Sequence, residues 1–153
     1  MKLPKEYVIV EIIPNHSNSK IGFIVQLQAL KIKNNQIIDR LDLRVDNSLI
    51  DNPRLLDMIN YDNEMFTYTK DKNYILKEFA KFIGSNKLLI IDNDYTLDYL
   101  KDFNNKKESV FKYLDLEFSN DVFDKIMKKY ELEPSNHLVD LLYEALIFKN
   151  SGK

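Results

Sequence analysis

Hydrophobic and polar positions divide the chain into a strand-like first third and a largely helical remainder. Residues 6–13, EYVIVEII, form an almost unbroken apolar and β-branched run, the pattern of a central strand buried on both faces. The polar stretch 14–20 ends it. Residues 21–33 then alternate, with Phe23, Val25, Leu27 and Ala29 on one side and Ile24, Gln26, Gln28 and Leu30 on the other. Asn34-Asn35 predicts a tight turn, because asparagine tolerates positive φ. Residues 36–45 follow with polar Asp39, Asp42 and Arg44, so 21–45 reads as a β-hairpin.

Helical periods take over afterwards. Asn52-Pro53 is a helix start, a capping side chain followed by proline in the first turn. Residues 70–83 predict an amphipathic helix with Ile75, Phe79 and Phe82 close to one face and Gly84 as its stop. Residues 87–92 read as a second buried strand, 95–103 as a helix, and 110–118 as a segment containing a strand. Ser119 is expected to cap a helix through Tyr130, with Asp121–Lys125 and Asp124–Lys128 pairs on its solvated face. Pro134-Ser135-Asn136 introduces a last helix. The resulting order, β-β-β-α-α-β-α-β-α-α, predicts a mixed α/β fold. With no repeat, linker or low-complexity tract, residues 1–153 read as a single domain.

Composition narrows the function classes. The 153 residues suffice for a core without staples, and 44% hydrophobic with 30% charged residues excludes bulk disorder. Zero cysteines exclude a disulfide scaffold, a thiolate zinc site and a cysteine nucleophile. No signal peptide and no membrane span are expected, since no apolar run approaches about 20 residues. The cytoplasm is the default compartment. Net charge is −2, from 22 basic and 24 acidic residues, and Arg40, Arg44 and Arg54 are the only arginines. Lysine supplies point charges without the bidentate fork that grips phosphate, so this is not the composition of a dedicated non-specific nucleic-acid binder.

Three stretches carry a resemblance. Residues 31–47, KIKNNQIIDRLDLRVDN, match a K-I-x-N-G-x-I-V-D-R-F pattern. Residues 61–66, YDNEMF, match I-T-D-E-M-V, and 75–84, ILKEFAKFIG, match V-L-x-E-F-L-x-F-I-G. In order and spacing the chain resembles the DnaQ-like (DEDDh) 3′–5′ exonucleases, such as ribonuclease T and oligoribonuclease. That resemblance implies a ribonuclease H-like (exonuclease) fold, a mixed five-stranded sheet flanked by helices.

The family's catalytic motifs are where the sequence departs. The Asp-x-Glu of the first strand falls on Glu11 and Ile13. In the second motif Asn93 is kept, and Leu97 stands at the acid. In the third, His137 holds the histidine position, and Leu142, five residues on, stands at the acid. The resemblance implies two metal ions about 4 Å apart, activating water and stabilising the leaving oxygen. Magnesium or manganese needs carboxylate oxygens, and one glutamate cannot position two such ions. Asp94 and Asp98, near Leu97, are the nearest acids that could substitute. Asp140 stands about 200° around the helix from Leu142 at about 100° per residue, facing away.

Each residue also has a plainer reading. Glu11 is either a vestigial ligand or a surface acid where the strand emerges. Ile13, Leu97 and Leu142 read as core by burial preference. His137 reads as a helix-end or surface histidine, Asn93 as a helix cap, and the lysine groups as solubilising faces. The sequence thus points to a catalytically degenerate exonuclease-like domain with no cofactor, binding a protein partner of polymerase or helicase type or single-stranded nucleic acid. The alternative is an active, metal-dependent exonuclease using Glu11, Asp94 or Asp98, and His137.

Overall fold

The first strand, β1 (Glu6–Pro14), is the centre of the molecule and is sided by both a near and a distant partner. A computed structural model describes residues 2–59, 65–134 and 137–150 of the chain. β1 pairs antiparallel with β2 (Ile24–Lys33), which pairs antiparallel with β3 (Gln36–Val45). The turn between them has positive φ at both Asn34 (52°) and Asn35 (66°), as a two-residue hairpin requires. On its other side β1 runs parallel to β5 (Lys87–Ile90), and β5 parallel to β6 (Lys107–Ser109). A short β4 (Thr67–Thr69) lies parallel to the end of β3. The order is β4-β3-β2-β1-β5-β6.

Helices cover both faces. β1 alternates: Val8, Val10 and Ile12 enter one core layer with Leu55 and Ile59 of α1 (Pro53–Ile59) and Ile75, Phe79 and Phe82 of α2 (Tyr74–Ile83). Tyr7 and Ile9 enter the opposite layer with Val122 and Ile126 of α4 (Val122–Tyr130) and Val139, Leu142, Ala145 and Leu146 of α5 (Leu138–Lys149). The four-residue α3 (Thr96–Tyr99) follows β5. Gly84 ends α2 at φ +51°, where a side chain would be strained. Among the described residues, no helix is long and apolar enough to cross a membrane.

Several expectations are corrected. Among the described residues the sheet has six strands, not five. Residues 110–118 hold no strand: Val110–Leu114 is a 3-10 helix, begun by Ser109 Oγ accepting from Phe111 N–H at 3.2 Å and closed by Asp115 in the left-handed region. An apolar run this short reads alike as buried strand or buried helical turn. Helix α2 starts at Tyr74, not residue 70, because Asp71 Oδ1 accepts from Asn73 N–H and turns the chain first. The helix expected over 95–103 spans only α3. Helix α4 starts at Val122 with Asp121 at its N-cap position, two residues beyond the expected Ser119, whose hydroxyl donates to Asp121. The Asp121–Lys125 pair is present at 3.5 Å. Residues 61–64 of the YDNEMF stretch, and Ser135-Asn136, lie outside the described residues.

Candidate functional site

Glu11 lies within β1, and strand register sets what stands beside it. It is directly opposite Gln28 on β2, which is opposite Asp42 on β3. Cross-strand neighbours share a face, so three polar side chains form one row across the sheet, with a second buried polar pair, Gln26 and Arg44, beside it on β2 and β3. All three are buried, Gln28 completely. Gln28 Nε2 donates to Asp42 Oδ1 at 3.1 Å and lies 3.0 Å from Nδ1 of His137, at the start of α5. Arg40 Nε donates to Asp42 Oδ2 at 2.9 Å, and its two terminal nitrogens grip Asp140 at 3.2 and 2.8 Å. Asp140's hydrogen bond, more than Asp42's, holds the Arg40 guanidinium above its ordinary range. The row thereby clamps α5 onto β2 and β3.

Burial pushes the Glu11 carboxyl up from 4.5 to about 7. Its charge in turn contributes to Tyr95, whose hydroxyl burial chiefly drives up to about 12, with Asp94 adding a smaller push. The reading of Glu11 as a surface acid is therefore corrected: the strand does not emerge at this point. Asp140 does not simply face away either, since it is the anchor of Arg40.

The three aliphatic substitutions separate. Leu142 is fully buried in the α5 layer. Ile13 is half-buried and borders a cavity of about 420 Å³ together with Asp94, Tyr95, His16 and Arg54. Leu97 is 57% exposed, so its reading as core is wrong: α3 buries Thr96 and Tyr99 instead. Asp94 stands exposed at the mouth of that cavity. Asp98 is turned to the first loop, where Ser19 N–H donates to it at 2.8 Å and, with Lys101, holds it below the usual carboxylate range. Asn93 does cap α3, accepting from Thr96 N–H at 3.0 Å. The structure therefore sets Glu11 opposite Gln28 in strand register, joins Gln28 to Asp42 and His137, leaves Asp94 at the rim, and takes Asp98 elsewhere.

Among the described residues no three carboxylate or histidine side chains gather to hold a metal. The donor set does not fit the two-ion group the resemblance implies. Glu11 is a single buried carboxylate, Leu142 is sealed in the core, Asp98 is engaged by Ser19, and Asp94 is peripheral. The sequence reading had missed Gln28, Asp42 and Arg40 as site residues. A signal was present on β1 alone: Glu11 is polar where its neighbours on that face, Ile9 and Ile13, are apolar, whereas Gln28 and Asp42 stand beside further polar residues, Gln26 and Arg40 with Arg44.

No protein-family model matches the sequence, and no curated protein matches it. Solved structures do. Exonuclease I from Methylocaldum szegediense superposes with a TM-score of 0.62 at 9% identity, covering 97% of this chain and 41% of that one. An exonuclease I complex with SSB-Ct gives 0.59 at 8% identity, over 98% and 42%. The zinc-bound E. coli exonuclease I–ssDNA complex gives 0.56 at 9% identity, over 96% and 40%. This is the DnaQ-like exonuclease fold. The chain spans about two-fifths of the length of these exonuclease I chains, and at such identity the likeness is one of fold.

Proposed function

We propose that this chain is an exonuclease fold working as a binding module, its two-metal chemistry lost. The observation that carries this reading is the row Glu11–Gln28–Asp42: Glu11, at the first ligand position the resemblance implies, is buried beside the hydrogen-bonded Gln28–Asp42 pair, under a helix that carries Leu142 at its own. Fold alone does not decide activity; the donor set argues against it. The exonuclease I structures include one complex with SSB-Ct and one with ssDNA, so both a protein partner and single-stranded nucleic acid are chemically reasonable ligands for this scaffold. Net charge −2 with three arginines favours the protein, of polymerase or helicase type, in the cytoplasm.

The test has two parts. With magnesium or manganese, single-stranded DNA and RNA oligonucleotides are expected to stay intact. Turnover that disappears in Glu11→Gln or His137→Ala would establish the metal-dependent exonuclease instead. In fluorescence anisotropy at two salt concentrations, oligonucleotide affinity is expected at ~10⁻⁴ M or weaker, the non-specific range. Submicromolar, steeply salt-dependent binding would make nucleic acid the ligand.

A further inference from the structure

His137 Nδ1 and Gln28 Nε2 face each other at 3.0 Å, and the groups behind Gln28 decide which nitrogen of the ring carries hydrogen. Arg40 is bound to Asp140 through two nitrogens and to Asp42 Oδ2 through a third. Asp42, ion-paired with Arg40, offers carboxylate oxygens, which only accept. Asp42 Oδ1 therefore takes the amide NH₂ of Gln28, at 3.1 Å, and refuses its carbonyl. The same NH₂ faces His137, and its two hydrogens serve the two acceptors. Turning the amide over would set Oε1 against the carboxylate. This orientation carries a cost, since Gln28 Oε1 is left buried without a hydrogen-bond donor, and the two bonds of the NH₂ to Asp42 and His137 outweigh it.

We infer that Asp42 and Gln28 fix His137 as the neutral tautomer in which Nδ1 accepts and Nε2 carries the hydrogen. They are positioning residues, acting through the ring. The consequence is a change of role. A general base must present a lone pair to the proton it removes, whereas Nε2–H can only donate, to a carbonyl, carboxylate or phosphate oxygen. The lock is independent of the binding function proposed above, because it rests on the strand register and the Arg40 ion pair alone. His16 provides an internal comparison: its Nδ1 accepts from Asn18 N–H at 2.9 Å, which selects the same tautomer by a local backbone contact.

The experiment is long-range ¹H–¹⁵N correlation spectroscopy on the uniformly labelled full chain at about pH 8, where ordinary histidines are neutral. Both histidines are expected to show hydrogen on Nε2 only. Gln28→Glu places an oxygen where the NH₂ was, and should move the His137 hydrogen to Nδ1 while leaving His16 unchanged. A folded Gln28→Glu chain with His137 still protonated on Nε2 would overturn the lock. So would a detectable Nδ1–H fraction for His137 in the unsubstituted chain, and that spectrum decides the matter by itself if Gln28→Glu loses its dispersed amide signals. Oligonucleotide turnover is read separately, so failure of the lock and failure of the binding-module reading are distinguishable.

Discussion

Two walls, helix α5 and helix α3, each carry a leucine where the exonuclease resemblance implies aspartate, and treat it in opposite ways. Leu142 is fully buried in the layer it shares with Ile9 and Leu30, whereas Leu97 is 57% exposed. The difference lies in the elements. Helix α5 has twelve residues and lies across β1 and β2, so a side chain at position 142 has strand on one side and helix on the other. Helix α3 has four, and packs through Thr96 and Tyr99. An aliphatic residue where the resemblance implies a ligand is therefore not by itself a sign of burial. On the α5 wall position 142 belongs to the core; on the α3 wall position 97 faces solvent.

Reversing the substitutions puts this contrast to the test. Leu142→Asp is expected to destabilise the fold by about 4 kcal/mol, through lost packing and an unpaired buried carboxylate, read from the midpoint of urea unfolding. An unchanged midpoint would mean that the α5 wall is as open as the α3 wall.

Glu11 gives the next largest effect, and its sign follows from its raised carboxyl. Between 4.5 and about 7 the folded chain holds a proton that the unfolded chain releases. Stability is thus full below about pH 4.5 and falls as pH rises through about 7, by roughly 3 kcal/mol in total at about 1.4 kcal/mol per unit. Glu11→Gln should remove that part of the slope, so urea midpoints of the two chains diverge between pH 5 and pH 8, the variant being the more stable at pH 8. Parallel profiles would return Glu11 to solvent.

Arg40→Met should lower stability by about 2 kcal/mol, mostly because Asp42 stays buried without its partner. Loss of hydrogen-exchange protection in the first turn of α5 would locate the effect at the clamp. Leu97→Asp closes the series, with a change below about 0.5 kcal/mol; a large loss there would erase the difference between the two walls.

The legible parts of this molecule were those written locally. The unbroken apolar run of β1, the alternation of β2 and the Asn34-Asn35 turn before β3 are properties of neighbouring residues, and they appeared where expected. Strand β4 was not legible, since Thr67–Thr69 becomes a strand only by pairing with Leu43–Val45. The apolar run at Val110–Leu114 carries no period long enough to separate strand from helical turn. The site divides in the same way. Glu11, His137 and the leucines could be placed from motif spacing, but the row Glu11–Gln28–Asp42 exists only in the register of three strands. The exposure of Leu97 was likewise hidden, because residue type predicts burial only on average.

The placing of β1 also has a consequence for biosynthesis. Its neighbour β2 is made within the next twenty residues or so, but its parallel partner β5 arrives only with Lys87–Ile90. When the three-stranded meander has left the ribosome, the side of β1 that will meet β5 still presents bare amides and carbonyls along one of the most apolar segments of the chain. At typical synthesis rates that open edge lasts for a few seconds, and an unpaired apolar strand is a template for pairing with other chains. The segment most deeply enclosed in the finished protein is thus the one most exposed to misassembly while the protein is being made, and slowing translation between residues 45 and 90 should lower the yield of soluble chain.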